Sequence, residues 1–513
     1  MDVLIVGAGP TGLTLALELA RYGVRSRLVD RHLDRFHQSR ALAVQPRTLE
    51  VLAGSGAAER MVERGARTVR LRAHFGRREV TVPLFDMGPA DTAYPYLLFL
   101  SQAETERILT ERLVESGGVV ERGVELTGLS QDGERVRCRL RHSSDAVETV
   151  TARYVVGCDG LRSTVREQAG IGFVGATYPQ TFVLADVSAE GLEPGMTHVF
   201  ASADGMLFAF PLGNPAPWRV QVMRPRGDTT PVDQPVTLAE VQALVDRYTA
   251  GTVRLYDPAW TTNFRLNLKA ATSHRSGRVF VAGDAAHVHS PAGAQGMNTG
   301  IQDAVNLAWK LALVTAGRAE PALLDTYDTE RAPIGRWVLR LSDRAFSVAT
   351  STAAPVRFAR TRVAPLVFPL LSRLTSGRRY AFRTVSQLAI RYRRSPLSVA
   401  GPGDRLRRGP RPGDRLPDAS VTHHDQPTSL HAMVATPGWH LLLCGPVDAW
   451  PRRAATWIGD RYPGLVHVHR LTDLDKTVRR RLGLRPGHAA HVLVRPDGHI
   501  AYRAAGDDLT GLR

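Results

Sequence analysis

Val3-Leu4-Ile5-Val6-Gly7-Ala8-Gly9-Pro10-Thr11-Gly12 is the stretch that decides the fold. Four consecutive apolar residues read as a buried strand, and Gly7, Gly9 and Gly12 make a GxGxxG turn directly after it. Leu13, Ala16, Leu17 and Ala20 follow at helical spacing up to Gly23, and residues 26–30 read as a second strand. The result is a βαβ unit, the start of a doubly wound α/β sheet. Glycines there let the backbone approach a pyrophosphate, whose charge the helix N-terminus favours. Asp30, eighteen residues beyond Gly12 at the end of the second strand, is placed to accept hydrogen bonds from a ribose. The pattern indicates a dinucleotide and leaves NAD and FAD both open.

Two more apolar strands end in turns of the kind that form ligand sites. Residues 154–158 lead into Asp159-Gly160, and residues 279–282 into Gly283-Asp284. The second turn runs on through Pro291-Ala292-Gly293-Ala294-Gln295-Gly296-Met297-Asn298-Thr299-Gly300 to a helix. Thr299 and Gln302 read as a capping-box pair, and Ile301, Val305, Ala308 and Ala312 give that helix one apolar face. A Gly-rich loop on a helix N-terminus offers N–H groups and positive dipole to an anion, and reduced flavin carries such a charge at its pyrimidine end.

Outward from these motifs, residues 173–271 alternate like strands at 181–187, 206–212 and 218–223, which predicts a β-rich domain inserted into the first. Residues 320–400 read as mostly helical and rich in arginine. At 401 the composition shifts to Gly401-Pro402-Gly403-Asp404 and Gly409-Pro410-Arg411-Pro412-Gly413-Asp414, a linker into a third unit. That unit has a buried strand at 439–444 and a hairpin around Pro496-Asp497-Gly498. The expected division is residues 1–172 with 272–340, 173–271 as substrate domain, 341–400 as a helical segment, and 401–513.

The 513 residues, 43% hydrophobic and 22% charged, suit a folded enzyme of about three domains. A net charge of +17 raises nucleic acid as a partner, but only Lys269, Lys310 and Lys476 are lysines. The 63 arginines read as spread along the chain and interleaved with acids, a solvated basic surface with no nucleic-acid footprint. Cys138, Cys158 and Cys444 have no CxxC or metal spacing, and the sequence opens straight into a strand with no basic leader or membrane-length apolar run. A cytoplasmic protein without membrane partners is expected. His287 and His289 alternate but gain no third ligand, so no metal is expected.

The three motifs together resemble the group A FAD-dependent aromatic hydroxylases, the para-hydroxybenzoate and phenol hydroxylase type, and particularly the branch tailoring antibiotic polyketides. The resemblance is carried by Gly7 to Gly12, by Cys158-Asp159-Gly160-Leu161-Arg162-Ser163 with Arg166, and by Gly283-Asp284-Ala285-Ala286-His287. It continues through Asn298-Thr299-Gly300-Ile301-Gln302-Asp303-Ala304 to Tyr327 and Glu330-Arg331, covering residues 1 to about 340. It implies an α/β fold: a Rossmann-like FAD-binding domain, an inserted β-sheet substrate domain and a C-terminal thioredoxin-like domain. In the last, Cys444-Gly445-Pro446 offers no CxxC and hence no thiol redox function.

By the same resemblance Asp30 and Arg31 hold the adenosine ribose, and Thr11 and Arg40 contact the pyrophosphate region. Gln102 lies by the ribityl chain, Asp284 binds a ribityl hydroxyl, and Asp159 is tied to FAD and the passing nicotinamide. Gly296, Met297 and Asn298 face the flavin pyrimidine. The implied cycle is hydride transfer from NADPH or NADH to FAD, reaction with O2 to a C4a-hydroperoxide, and hydroxylation of a large polycyclic aromatic substrate. With one dinucleotide fingerprint the nicotinamide visits transiently. Phe208, Phe210, Trp218 and Met223 are candidates to line the substrate space. No catalytic acid or base is identifiable, and a monomer or homodimer is expected. Baeyer-Villiger insertion on a similar polyketide and a non-catalytic FAD-binding protein are the alternatives; a halogenase lacks its WxWxIP motif.

Overall fold

The computed structural model describes the whole chain except residues 36–40, 69, 77, 83–89, 203–204, 226, 229, 290–292, 352, 372–374, 402–408, 424–425, 451, 473 and 513. Arg40, Pro291, Ala292 and the linker residues Pro402, Gly403 and Asp404 therefore lie outside the described residues. Among those described, no helix is long and apolar enough to cross a membrane.

Val3–Val6 is buried at all four positions because it sits in the middle of a six-stranded sheet covered on both faces. The order is Arg275–Ser276, Val279–Val281, Tyr154–Gly157, Val3–Val6, Ser26–Asp30 and Val120–Arg122, parallel apart from the first. Helices Pro10–Arg21, Gln102–Glu115 and Gly296–Thr315 close one face over Val3, Ile5 and Val156. The antiparallel strands Val124–Gln131, Val136–His142 and Val147–Ala152 close the other, where Leu126, Cys138 and Leu140 meet Leu4 and Val6. Val6 pairs with Gly157 and Gly157 with Val281, so all three motif turns leave the same edge of the sheet.

The second sheet has eight strands: His287–Val288, Arg254–Ala271, Phe173–Glu190, Trp218–Met223, Met206–Pro211, Thr197–Ala201, Leu71–Phe75 and Arg78–Val82. It reaches beyond the 173–271 segment read from the sequence, taking two strands from before it and one from after. Helix Leu238–Thr249 covers its outer face over Val183, Leu207, Trp218 and Val220. In the C-terminal unit, parallel strands Trp439–Cys444 and Val466–Leu471 flank helix Arg452–Arg461, and helix Lys476–Leu482 precedes the hairpin Ala490–Val494 and Ile500–Ala505. The hairpin adds antiparallel beside Trp439–Cys444, which is the thioredoxin arrangement. Cys444 is fully buried there, and burial pushes its thiol up to about 12.

Three local readings change. Helix Gly296–Thr315 starts earlier than expected, and its N-cap is Gln295. Thr299 lies within it and donates to the Gln295 carbonyl oxygen (2.8 Å), so Thr299 and Gln302 form no capping box. Every residue from Asn298 to Val314 is buried, not one face alone, because helix Asp325–Thr350 and the C-terminal hairpin cover the charged side. Helical structure between 320 and 400 ends with Thr375–Val385, and a non-helical strap follows. The arginines are also less evenly interleaved than the overall counts suggest: residues 344–403 contain eleven and no acid.

The charges on the buried helix are met one by one. Lys310 donates to Glu330 Oε2 at 2.8 Å and to Asn306 Oδ1 at 2.8 Å. Glu330 also receives Arg495 NH1 at 2.5 Å and NH2 at 2.8 Å, and Arg495 NH2 reaches Asp497 Oδ2 at 2.6 Å. Burial alone would lift the Glu330 carboxyl, but Arg495 and Lys310 overcome it and hold it well below the usual range. Removing Glu330 leaves buried Lys310 without its ion-pair partner and Arg495 with Asp497 alone. Glu330→Ala is expected to cost about 3–5 kcal/mol in chemical denaturation, whereas breaking the exposed Arg141–Glu125 pair leaves the midpoint unchanged.

Candidate active site

The Gly-rich turn is built by contact. Gly7 has φ of +103°, and a Cβ there would sit 2.4 Å from the Cys158 carbonyl oxygen. A Cβ on Gly12 would meet the Gly7 carbonyl oxygen at 1.9 Å. Gly9, by contrast, has open space around an added Cβ. Thr11 packs where Gly283 and Gly300 approach, each of whose added Cβ atoms would lie 2.4 Å from Thr11 Oγ1. The first motif and the third therefore interlock by the Thr11 side chain packing where Gly283 and Gly300 have none.

Two cavities adjoin at this edge, sharing Gly9, Gln102, Cys158, Gly160 and Leu161. The outer one, about 510 Å³, is bordered by Gly7, Asp30, Arg31 and Asp159. The inner one, about 440 Å³, is bordered by Thr11, Asp284, Gly296 and Met297 on one side and by Leu184, Phe210, Phe264 and Leu266 of the second sheet on the other. Gly9, Thr11, Gln102, Asp284, Gly296 and Met297 thus come together, as do Gly7, Asp30, Arg31 and Asp159. Gly12 and Asn298 border neither cavity. Asn298 is fully buried and braces the loop: its Nδ2 donates to the carbonyl oxygens of Ala43 and Ala294 and its Oδ1 accepts from Gln45 N, each at 2.8 Å.

Asp30 accepts from Ala8 N at 2.7 Å and from His32 N at 2.9 Å, which fixes its carboxylate across the Gly-rich turn. Asp159 accepts from Ser163 Oγ at 2.5 Å and Val165 N at 3.1 Å, so it braces its own turn while bordering the outer cavity. Burial lifts the Asp159 carboxyl above its ordinary range. Arg166 joins the second and third motifs, donating to the carbonyl oxygens of Leu161 and Ala285 at 3.0 Å each.

The residues fit an elongated dinucleotide. Helices Pro10–Arg21 and Gly296–Thr315 both begin without a side-chain cap and without an acid in the first turn, so neither N-terminal dipole is neutralised. The outer cavity carries Asp30 for ribose hydroxyls, and Gly9 leaves room for a pyrophosphate. Among the described residues no group of three potential ligands could hold a metal ion.

Of the four aromatic and sulfur candidates, Phe210 alone borders the inner cavity. Trp218 shares the opposite strand face with Val220 and Val222 and packs under helix Leu238–Thr249. Met223 packs on Phe182 and Phe264, and Phe208 stacks on Phe210 at 5.8 Å. Leu184, Gln221, Phe264, Arg265, Leu266 and Asn267 border the cavity and went unread, because alternation cannot say which sheet face meets a ligand. His289 also borders it, and burial with His287 beside it holds the imidazole down at about 3.

Glu106 was missed as well. It borders the outer cavity, Gln102 Nε2 donates to it at 2.8 Å, and burial lifts its carboxyl to about 7. The stability that this proton contributes is fully present below pH 4.5 and is lost as pH rises through about 7. Ionised Glu106 then adds a negative charge to the border of the outer cavity. The FAD dissociation constant of the wild type is expected to rise about fivefold between pH 6 and pH 8.5, and Glu106→Gln to flatten that rise, read by flavin fluorescence titration.

Two family profiles match the chain: "FAD binding domain" over residues 1–342 and "Aromatic-ring hydroxylase, C-terminal" over residues 409–513. The sequence is 38% identical to 6-methylpretetramide 4-monooxygenase of Streptomyces rimosus, covering 100% of this chain and 92% of that one. The fold is similar to that of the anhydrotetracycline hydroxylase OxyS of Streptomyces rimosus, with a TM-score of 0.79, 32% identity, and coverage of 100% and 97%. It is similar also to aklavinone-11 hydroxylase in its ternary complex with FAD and aklavinone, with a TM-score of 0.78, 28% identity, and coverage of 98% and 95%.

Proposed function

The chain belongs to the family of flavoproteins that join this FAD-binding domain to an aromatic-ring hydroxylase C-terminal domain, and from that membership we propose that its substrate is a polycyclic aromatic polyketide. It is an FAD-dependent monooxygenase that uses NAD(P)H and O2. The observation that carries the substrate reading is the inner cavity, bordered on one side by the flavin-facing loop and on the other by Leu184, Phe210, Phe264 and Leu266. An apolar wall that also offers Gln221, Arg265 and Asn267 suits a flat fused-ring compound carrying polar substituents.

FAD, when bound, supplies hydride acceptance and oxygen activation. The chain's own work is binding, orientation and exclusion of water. In this reading Gly7, Gly9 and Thr11 seat the pyrophosphate on the N-terminus of helix Pro10–Arg21, Gly12 lets the turn close against Gly7, and Asp30 with Arg31 takes the adenosine ribose. Gln102 and Asp284 take the ribityl chain. Gly296 and Met297 meet the pyrimidine, with Asn298 holding their loop rather than touching the ring. Asp159 stands where nicotinamide passes. The 173–271 segment supplies most of the substrate wall, and the apolar residues keep water from the reacting centre.

Proton transfer needs no side-chain base if the substrate is a phenol. His289, the imidazole at the cavity, is neutral over the working range and too weak to take a phenolic proton. Ionisation of the substrate's own hydroxyl activates its ring.

NADPH oxidation by the FAD-loaded protein is expected to accelerate at least about tenfold with a polycyclic phenol, judged on the rate gains of oriented reaction partners, and to yield a product 16 mass units heavier, the mass of one oxygen atom. Absence of stimulation by any such compound would count against the reading. Cys444→Ser is expected to leave turnover unchanged, since a buried thiol held near 12 takes no part in exchange.

A further inference from the structure

Gln387 lies in the strap after helix Thr375–Val385, fully buried, with a backbone φ of +61°. That conformation is costly for a residue with a side chain, and glycine or asparagine would adopt it more easily. Gln387 uses its side chain fully. Its Nε2 donates to Gln295 Oε1 at 2.7 Å and to Thr299 Oγ1 at 3.0 Å, and its Oε1 accepts from Gln302 Nε2. All three partners belong to the flavin-facing loop or the first turns of the helix it opens.

The contact continues toward the cavity. Gln295 Nε2 donates to the carbonyl oxygens of Gly293 at 2.6 Å and Val385 at 3.0 Å, and Gly293, Gln295 and Val385 all border the inner cavity. On the other side of the loop, Asn298 is tied to Gln45 and Ala43. The strap itself is anchored by Arg47 N, which donates to the Ser386 carbonyl oxygen at 3.3 Å, and by Leu388 and Ile390, both buried. A strained residue held by surrounding structure, its amide spent on the Gly-rich loop at Gln295 and on the helix that the loop opens at Thr299 and Gln302, is how proteins hold a site in register.

We propose that Gln387 is a positioning residue for oxygen transfer, fixing the Gly293–Asn298 loop from behind so that flavin and substrate meet in register. This rests on the substrate reading above. Gln387 touches neither substrate nor cofactor and acts through Gln295 and Thr299. Loss of its amide lets the loop shift, and activated oxygen is then lost as hydrogen peroxide: two electrons from NADPH reduce O2, with two protons, and no oxygen atom reaches the substrate.

The test compares FAD-loaded wild type with Gln387→Met, which keeps the length and removes the amide, and with Gln387→Gly, which relieves the backbone and so guards against misfolding. Three quantities are read: product formed per NADPH consumed, the visible circular dichroism of bound flavin, and the melting temperature. Both variants are expected to lower product per NADPH about tenfold, peroxide accounting for the difference, and to change the flavin dichroism. Unaltered coupling and dichroism in either folded variant, whatever the melting temperature, would overturn the proposal. If the wild type itself shows no substrate-stimulated oxidation, the substrate reading fails, and the flavin dichroism still decides whether Gln387 sets the loop.

Discussion

Helix Gly296–Thr315 can be buried on every side only because each charge it carries meets an opposite one from elsewhere in the chain. Asp303 takes Arg331 Nε at 2.6 Å and His287 Nε2 at 2.7 Å, while Lys310 takes Glu330. The arginine that completes the second group, Arg495, comes from the C-terminal hairpin. An ion pair in such surroundings is weak evidence of net stability, but the loss of one partner is severe. The C-terminal domain is therefore not an appendage: its hairpin closes the charge balance of the helix whose N-terminus borders the inner cavity.

That constraint bears directly on the site. Asp303 also accepts from Gly283 N at 3.1 Å, so the third motif is tied to the same buried group. Arg331 reaches on to Tyr392 Oη at 2.8 Å and to the Thr299 carbonyl oxygen at 3.1 Å. Burial would raise the Asp303 carboxyl, and Arg331 and His287 reverse this and keep it ionised. The cavity walls thus come from four parts of the chain whose relative placement is set by buried polar contacts, with apolar packing filling the space between them. Such networks specify one arrangement when every member is satisfied.

Most of the fold was legible because its signals are local. Val3–Val6, the glycine turn and Asp30 lie within thirty residues, and the spacing alone marks a dinucleotide site. The alternation at 218–223 marked a strand correctly, but which face meets the ligand depends on helix Leu238–Thr249 packing across the sheet, and Trp218 went to that side. Asn298 was placed at the flavin by its motif; its side chain is instead spent on Ala294, four residues before it, and on Ala43 and Gln45, 255 and 253 residues away in sequence. Glu106 and Gln387 had no signal at all. A glutamate in a helix and a glutamine in a polar strap look like surface residues until the long-range packing that buries them is known.

The placement of FAD across the two cavities is tested most directly by its electron density in crystals of the loaded protein. Adenosine is expected in the outer cavity beside Asp30, the pyrophosphate over Gly9, and the flavin ring in the inner cavity against Gly296 and Met297. Flavin density away from the edge where the three turns meet, or an inner cavity closed to it by the Leu184–Phe264 wall, would contradict it.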